Sequence, residues 1–242
     1  MRKGDVFLRK KIRFGVFIVL LAAAIAVCRK AGDGLVEWID SDRAVSAAVQ
    51  RNENLVVVDP GHGGPDPGKV GVNGAEEKDI NLKIALNIKS YLEKENIEVF
   101  MTRTSDERLS DTQVGDLKER VRLMNEKNPV LAVSIHQNSY QDESVRGAQV
   151  FYYTDSRDGE EAAGYIQKAL SALDPESAKE RKANNTYYLL KKTEVPVVIA
   201  ECGFLSNYEE AEKLSEEAYQ EEVAAAVSDG ILEYIDSVVK DK

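Results

Sequence analysis

Three short apolar runs, each ending at a polar side chain, constrain the fold of this chain more than any other feature. They are residues 55–59 (LVVVD), 130–136 (VLAVSIH) and 196–201 (PVVIAE). Continuous apolar runs of this length are typical of strands that are buried on both faces. They therefore predict a mostly parallel, twisted sheet with helices packed on both of its faces.

The segments between these runs supply the helices and the remaining strands. Residues 79–92 alternate apolar and polar positions as a strand would, but the run is too long for a strand and predicts a helix. The sequence predicts further helices at 116–127, 163–173 and 223–238, and a short helix capped by Asn207 with Glu210. It predicts strands at 97–103 and 147–154 and a short strand at 187–190.

Charge divides the chain into two parts. Residues 1–30 carry eight basic side chains and one acidic one, for a net charge of +7, and they include the uncharged run 14–28. This pattern predicts a signal peptide or an N-terminal membrane anchor, with the N-terminus in the membrane and the rest of the chain exported. We interpret residues 31–54 as a stalk or linker and 55–239 as the α/β domain.

The exported part is acidic, and this excludes some functions. Residues 31–242 carry 24 basic and 41 acidic side chains, for a net charge of −17. Such a surface argues against binding to nucleic acid. Two cysteines in 242 residues exclude a disulfide-rich scaffold and a four-cysteine zinc site.

The only two histidines of the sequence follow predicted strands. His62 comes just after the first strand, in a loop rich in glycine and proline, and His136 ends the strand at 130–135. The carboxyl ends of parallel strands form the usual ligand site of such a sheet. Two imidazoles and one carboxylate would bind Zn²⁺ and leave a fourth position open, the pattern of a catalytic zinc site.

The third ligand must be a carboxylate, because no other histidine and no suitable cysteine exists. Spacing does not choose among the acidic residues near His62. The candidates are Asp59, Asp66, Glu76, Glu77 and Asp79.

Glu201 follows a buried strand, where an unpaired carboxylate is unfavourable unless it faces a wet site, a metal or a cation. We predict that it is a general base that removes a proton from a water molecule and then protonates a leaving amine. A salt bridge to a lysine or arginine is the alternative. The next residue, Cys202, should point to the other face of the strand as a small packing residue.

Together the motifs resemble those of zinc-dependent N-acetylmuramoyl-L-alanine amidases. The residues that carry the resemblance are DPGHGG at 59–64, EKD at 77–79, TR at 102–103, SIHQN at 134–138 and ECGFLSN at 201–207. The resemblance covers about 55–236 and implies zinc ligands His62, Glu77 and His136, with Glu201 as the catalytic carboxylate. It also implies a three-layer α/β/α fold with about six strands.

Within that family the chain resembles the short, membrane-targeted, germination-specific amidases of spore-forming bacteria. The likeness rests on GPD at 64–66, GAQVFYY at 147–153 and NN at 184–185 before YLLK at 188–191. It implies hydrolysis of the amide between the lactyl group of N-acetylmuramic acid and L-Ala in cortex peptidoglycan, the first step of muramic-δ-lactam formation. It further implies a functional link to a muramic acid deacetylase, an accessory lipoprotein and a location in the forespore or spore cortex envelope.

Two positions depart from the pattern of the family, Gln137 and Cys202, and neither is a ligand. Residues 139–195 leave no room for the long inserted helix that blocks the site in some relatives, so we expect an open site. Two other functions compete with the amidase. They are a different exported zinc amidohydrolase, such as a carboxypeptidase or sugar deacetylase, and a non-catalytic wall-binding regulator.

Overall fold

The computed structural model describes residues 51–240 of the chain. In these residues strands and helices largely alternate, and one 3₁₀ turn lies at Pro175–Ser177. The strands are β1 (Asn52–Pro60), β2 (Glu98–Met101), β3 (Pro129–Asn138), β4 (Gln149–Tyr153), β5 (Lys182–Asn184) and β6 (Val197–Phe204). The helices are α1 (Glu77–Lys94), α2 (Gln113–Lys127), α3 (Arg157–Ser171), α4 (Tyr188–Lys192), α5 (Tyr208–Ser215) and α6 (Glu217–Lys240).

The six strands form one sheet in the order β2-β1-β3-β6-β4-β5. Strands β2, β1, β3 and β6 run parallel to one another, whereas β4 pairs antiparallel with β6 and parallel with β5. The predicted mostly parallel sheet of about six strands is therefore confirmed. In this order the carboxyl ends of β1, β3 and β6 lie side by side, so the residues at those ends share one edge of the sheet.

Each face of the sheet is covered by helices. The larger core lies on the face of α1, α3 and α6, where Val56 and Val58 of β1 pack with Ile84 and Ile88 of α1. Val57 points the other way, into a smaller core with Met124 of α2. Neighbouring strand residues thus alternate between two cores, and this explains why the strands read as continuous apolar runs. The three-layer arrangement agrees with the prediction.

The predicted strand at 187–190 is wrong, because this segment forms the short helix α4, and the edge strand β5 lies just before it. Asn184 ends that strand, since its Oδ1 accepts hydrogen bonds from the backbone N–H groups of Thr186 and Tyr187, both at 2.8 Å. This side-chain bond turns the chain and starts the helix. Four residues are too few to distinguish the period of a helix from that of a strand.

The start of β1 also differs from the prediction. The strand begins at Asn52, inside the segment predicted as a linker, and residues from Arg51 onward belong to one compact unit. The predicted membrane segment at 14–28 lies outside the described residues. Within the described residues, none of the helices is long and apolar enough to cross a bilayer.

Candidate metal centre

The carboxyl ends of β1 and β3 bring the two histidines together. His62 follows β1 by two residues, and His136 lies within β3, which extends two residues beyond the predicted end. Their rings meet edge to face with centroids 5.0 Å apart. Between the strand and His62, Gly61 passes so close to the ring of His136 that a Cβ there would lie 2.2 Å from a ring carbon. Glycine at position 61 therefore lets the two imidazoles approach one another.

Glu77 completes a three-residue cluster with the two histidines. Its Oε2 lies 3.3 Å from His62 Nε2 and its Oε1 lies 2.9 Å from His136 Nδ1. One nitrogen of each histidine and one oxygen of Glu77 all lie within 4.8 Å of one another. The structure thus gathers His62, Glu77 and His136, the three residues that the resemblance implied as ligands.

Glu77 is held in the cluster by its position in the fold. It is the first residue of α1 and is buried, and its carboxylate also accepts the backbone N–H groups of Lys69 and Gln137. Burial alone would raise its pKa, but hydrogen bonds and charge from His136 and His62 outweigh burial and lower the pKa well below its usual value. The side chain is therefore a carboxylate in this cluster.

The backbone loop that returns from His62 to Glu77 passes close to both side chains. At Gly68 the φ angle is +65°, and a Cβ there would lie 2.5 Å from Glu77 Oε2. Glycine adopts this backbone conformation without strain and, because it lacks a Cβ, leaves room for the carboxylate.

The other acidic candidates have different partners. Asp66 Oδ2 lies 3.1 Å from Nδ1 of His62, on the side of the ring away from Glu77, where it orients the imidazole. Asp59 is buried in an ion pair with Arg120. Glu76 lies at the surface with its Oε2 3.4 Å from Lys78 Nζ, and the cluster does not include Asp79.

Glu201 lines the same cavity from β6. It stands opposite His136 in the parallel pairing of β3 and β6, and β6 continues past it to Phe204. Its Oε2 is buried without a hydrogen-bond partner among the described residues. Burial raises the pKa of Glu201 from 4.5 to about 7, with Glu77 adding to the rise and His136 opposing it. The predicted alternative, a salt bridge to a lysine or arginine, is absent from residues 51–238.

Cys202 points away from the site, as predicted from the strand period. Its side chain is 2% exposed and belongs to the larger core, together with Ala200. Burial raises the pKa of the thiol above its usual range. The thiol is therefore neutral and serves as a packing group.

Two buried arginines hold the turn that carries His62. Arg103 donates to the carbonyl oxygens of Pro60 and Gly61, each at 3.0 Å. Arg120 donates to the carbonyl oxygens of Pro60 at 2.8 Å and His62 at 2.7 Å. His62 itself has a φ angle of +62°, an uncommon conformation that these bonds help to maintain.

Arg120 was not among the residues predicted for the site. Its own charge is balanced by Asp59 and by Asp116, whose Oδ2 lies 2.7 Å from Arg120 Nε. The spacing of Asp116 and Arg120 on the apolar face of a predicted helix was the signal in the sequence, because charged side chains on such a face require partners.

The three-residue cluster and Glu201 line a cavity of about 390 Å³. His62, Glu77, His136 and Glu201 form one side of it. A second side contains apolar and aromatic groups from α2 and from the start of α4. The two histidine side chains are 23% and 24% exposed, so the cluster can be reached from solvent. The cavity is large enough for a short peptide or a sugar ring.

Comparison with known proteins assigns the family. Residues 56–233 match the model of the N-acetylmuramoyl-L-alanine amidase family. A germination-specific N-acetylmuramoyl-L-alanine amidase of Bacillus subtilis (strain 168) is 37% identical over 188 residues, which are 74% of this chain and 79% of that protein.

Two solved structures extend this similarity. The CwlD amidase from Clostridioides difficile, determined in complex with the GerS lipoprotein, has a TM-score of 0.72 and 36% identity, covering 76% of this chain and 98% of that one. The amidase AmiC2 of Nostoc punctiforme has a TM-score of 0.68 and 30% identity, with coverages of 77% and 99%.

The chain therefore belongs to the N-acetylmuramoyl-L-alanine amidase family. The comparisons confirm the predicted fold, the enzyme class and the resemblance to germination-specific amidases. This places the activity of the protein on the bacterial cell wall.

Proposed function

We propose that the protein is a zinc-dependent amidase that hydrolyses the bond between the lactyl group of N-acetylmuramic acid and L-Ala of the stem peptide. The observation that carries the proposal is one cavity that contains both a cluster of His62, Glu77 and His136 and the unpartnered carboxylate of Glu201. Two imidazoles and a carboxylate suit Zn²⁺, and three protein ligands are typical of catalytic sites.

The donor set fits the ion. Its three ligand atoms are already close together, and the carboxylate among them is ionised. When bound, Zn²⁺ would supply Lewis acidity, which promotes ionisation of water and polarises a carbonyl group. His62, Glu77 and His136 would hold it, and Asp66 would keep the imidazole of His62 in the correct orientation.

Glu201 performs the proton transfers in this mechanism. Its carboxylate takes a proton from the attacking water, which adds to the lactyl carbonyl carbon. The same group then donates that proton to the nitrogen of L-Ala as the C–N bond breaks. The products are a free lactyl carboxylate and a peptide with a free amino terminus. A carboxyl group whose pKa is raised to about 7 by burial suits both steps near neutral pH.

We further propose that the substrate is spore-cortex peptidoglycan and that the reaction precedes muramic-δ-lactam formation with a deacetylase. This proposal is supported by similarity to a germination-specific relative and to a relative determined with a lipoprotein. An exported protein, anchored or secreted through residues 1–30, would meet this substrate outside the cytoplasm, and an accessory lipoprotein would assist it there.

Substitutions of two neighbouring glutamates, Glu77 and Glu76, test the metal site. Glu77→Ala should abolish zinc binding and activity, because it removes a ligand. The matched control Glu76→Ala should retain one zinc per chain, since Glu76 lies at the surface outside the cluster. Metal content after dialysis is the measurement. Equal zinc content in the two variants would contradict the proposed ligand set.

A further inference from the structure

Tyr187 is a large aromatic side chain that lines the cavity and remains exposed. It is 38% exposed, whereas the other strongly exposed aromatic side chains among residues 51–238, Tyr140 and Tyr208, lie outside the cavity. An exposed aromatic ring beside a catalytic centre is typical of a ligand-binding wall.

One ring contact and one backbone hydrogen bond restrict Tyr187. The ring packs against Phe151 of β4 with centroids 5.5 Å apart. Its backbone N–H is held by Asn184 Oδ1, which also accepts the N–H and hydroxyl of Thr186. Phe151 therefore restricts the ring, and Asn184 restricts the backbone that carries it, before any ligand binds. This lowers the entropic cost of contact.

Tyr187 is also near the group that performs the chemistry. Burial raises the pKa of its phenol, and the charge of Glu201 adds to this rise. The phenol is therefore neutral, and Tyr187 lines the same cavity as Glu201.

Charge indicates which half of the substrate this wall contacts. The lining of the cavity includes one lysine, Lys69, and one arginine, Arg120. Arg120 is already paired with Asp59 and Asp116. Lys69 is exposed on the loop beside Glu77, and none of the described acidic groups pairs with it. Among the lysine and arginine residues that line the cavity, Lys69 is thus the one left to pair with an anionic stem peptide, and such a pairing would leave the uncharged sugar for the aromatic wall.

We propose that Tyr187 binds the glycan half of the substrate by stacking on the pyranose ring of N-acetylmuramic acid. The negative face of an aromatic ring attracts the weakly positive C–H groups on the apolar face of a sugar. Asn184 is the positioning residue that holds Tyr187. This inference rests on the proposed muramoyl amide substrate.

The two reaction products test this inference separately from catalysis. Affinities of the full-length protein, supplied with Zn²⁺, are measured by calorimetry for a GlcNAc–MurNAc disaccharide and for the dipeptide L-Ala–D-isoGln. Tyr187→Ala should weaken disaccharide binding about two- to tenfold and leave dipeptide binding unchanged. Tyr187→Phe should bind both as the wild type does, because the ring remains.

Substitutions at Asn184 test the positioning of Tyr187. Asn184→Ala should lower the affinity for the disaccharide and leave that for the dipeptide unchanged. Asn184→Asp should bind the disaccharide as the wild type does, because it keeps the acceptor oxygen. Tyr208→Ala, a matched control, should change neither affinity. The inference is overturned if the wild type does not bind the disaccharide. It is also overturned if Tyr187→Ala leaves the affinity for the disaccharide unchanged, or if this substitution lowers the affinity for the dipeptide instead. Failure of the proposed hydrolysis is seen separately, as wild-type protein that binds these products but does not cleave peptidoglycan.

Discussion

Glu77 and Glu201 are carboxylates of one cavity, yet their surroundings move their pKa values in opposite directions. Glu77 has imidazoles on two sides and several N–H donors, which overcome burial and keep it ionised. Glu201 has no such donors, and burial raises its pKa to about 7. Environments that separate two pKa values in this way divide the work between a fixed charge and a group that exchanges protons.

Substitution of Glu201 tests this division. Glu201→Gln should lower kcat by about 10²- to 10⁴-fold, because the amide cannot accept the proton of water. Zinc content should stay at the wild-type value, since Glu201 is not among the proposed ligands. Release of new amino termini from peptidoglycan is the measurement, with the exposed Glu212→Gln as control. Near wild-type activity of Glu201→Gln would exclude the proposed base.

Part of the site could be predicted at the level of residues. The positions of His62 and His136 at strand ends indicated a shared site, because the carboxyl ends of neighbouring parallel strands meet. The choice of Glu77 over Glu76 could not be derived from spacing. It depends on the path of the loop from 61 to 76, where residues such as Gly68 adopt positive φ angles. Only the family resemblance supplied that ligand in advance.

Among the elements, α2 connects the fold to the site through Arg120. Arg120 is 2% exposed, and its guanidinium binds Asp59, Asp116 and the backbone around His62. Burial alone would raise the pKa of Asp59, but Arg120 and the hydroxyls of Ser134 and Thr102 lower it below 3.8. The helix thus stabilises a charged group at the end of β1 and the turn that follows it.

Loss of Arg120 should therefore be strongly destabilising. Arg120→Ala leaves the Asp59 carboxylate buried without its main partner and should cost about 3–5 kcal/mol of the free energy of unfolding. Denaturant unfolding measures this loss. Adding Asp59→Asn should recover part of it, because no unpaired charge then remains buried.

Arg122 is the matched control on the same helix. It lies at the surface, where it pairs with Glu119 and Glu126. Arg122→Ala should leave stability near that of the wild type, because exposed ion pairs contribute little. Equal losses for Arg120→Ala and Arg122→Ala would refute the role assigned to the buried pair.

The length of an element decided how well the sequence predicted it. The helix at 79–92 was predicted correctly because its apolar pattern continues for several turns without a glycine or proline. The segment at 187–190 was assigned to the wrong class, because it is short and its conformation depends on one side-chain bond from Asn184. The capping role of Asn207 was correct, but Glu210 binds the N–H of Phe204 and Gly147 rather than completing a capping box.

For the whole molecule, the order of the strands positions the chemistry. β1, β3 and β6 are distant in sequence and adjacent in the sheet, so they bring His62, His136 and Glu201 to one edge. The sequence predicted a mostly parallel sheet but not this order, which depends on how each connection crosses the sheet. The predicted partition into residues 1–30, 31–54 and 55–239 stays a prediction for the part of the chain before Arg51.

The identity of the cleaved bond is the most direct test of the proposed activity. Full-length protein with Zn²⁺ is incubated with purified cortex peptidoglycan, and the products are identified by mass spectrometry. The expected products are muramic acid residues with a free lactyl carboxylate, together with released peptides that begin at L-Ala. Stem peptides that are shortened but still attached, or sugars that have lost acetyl groups, would contradict it.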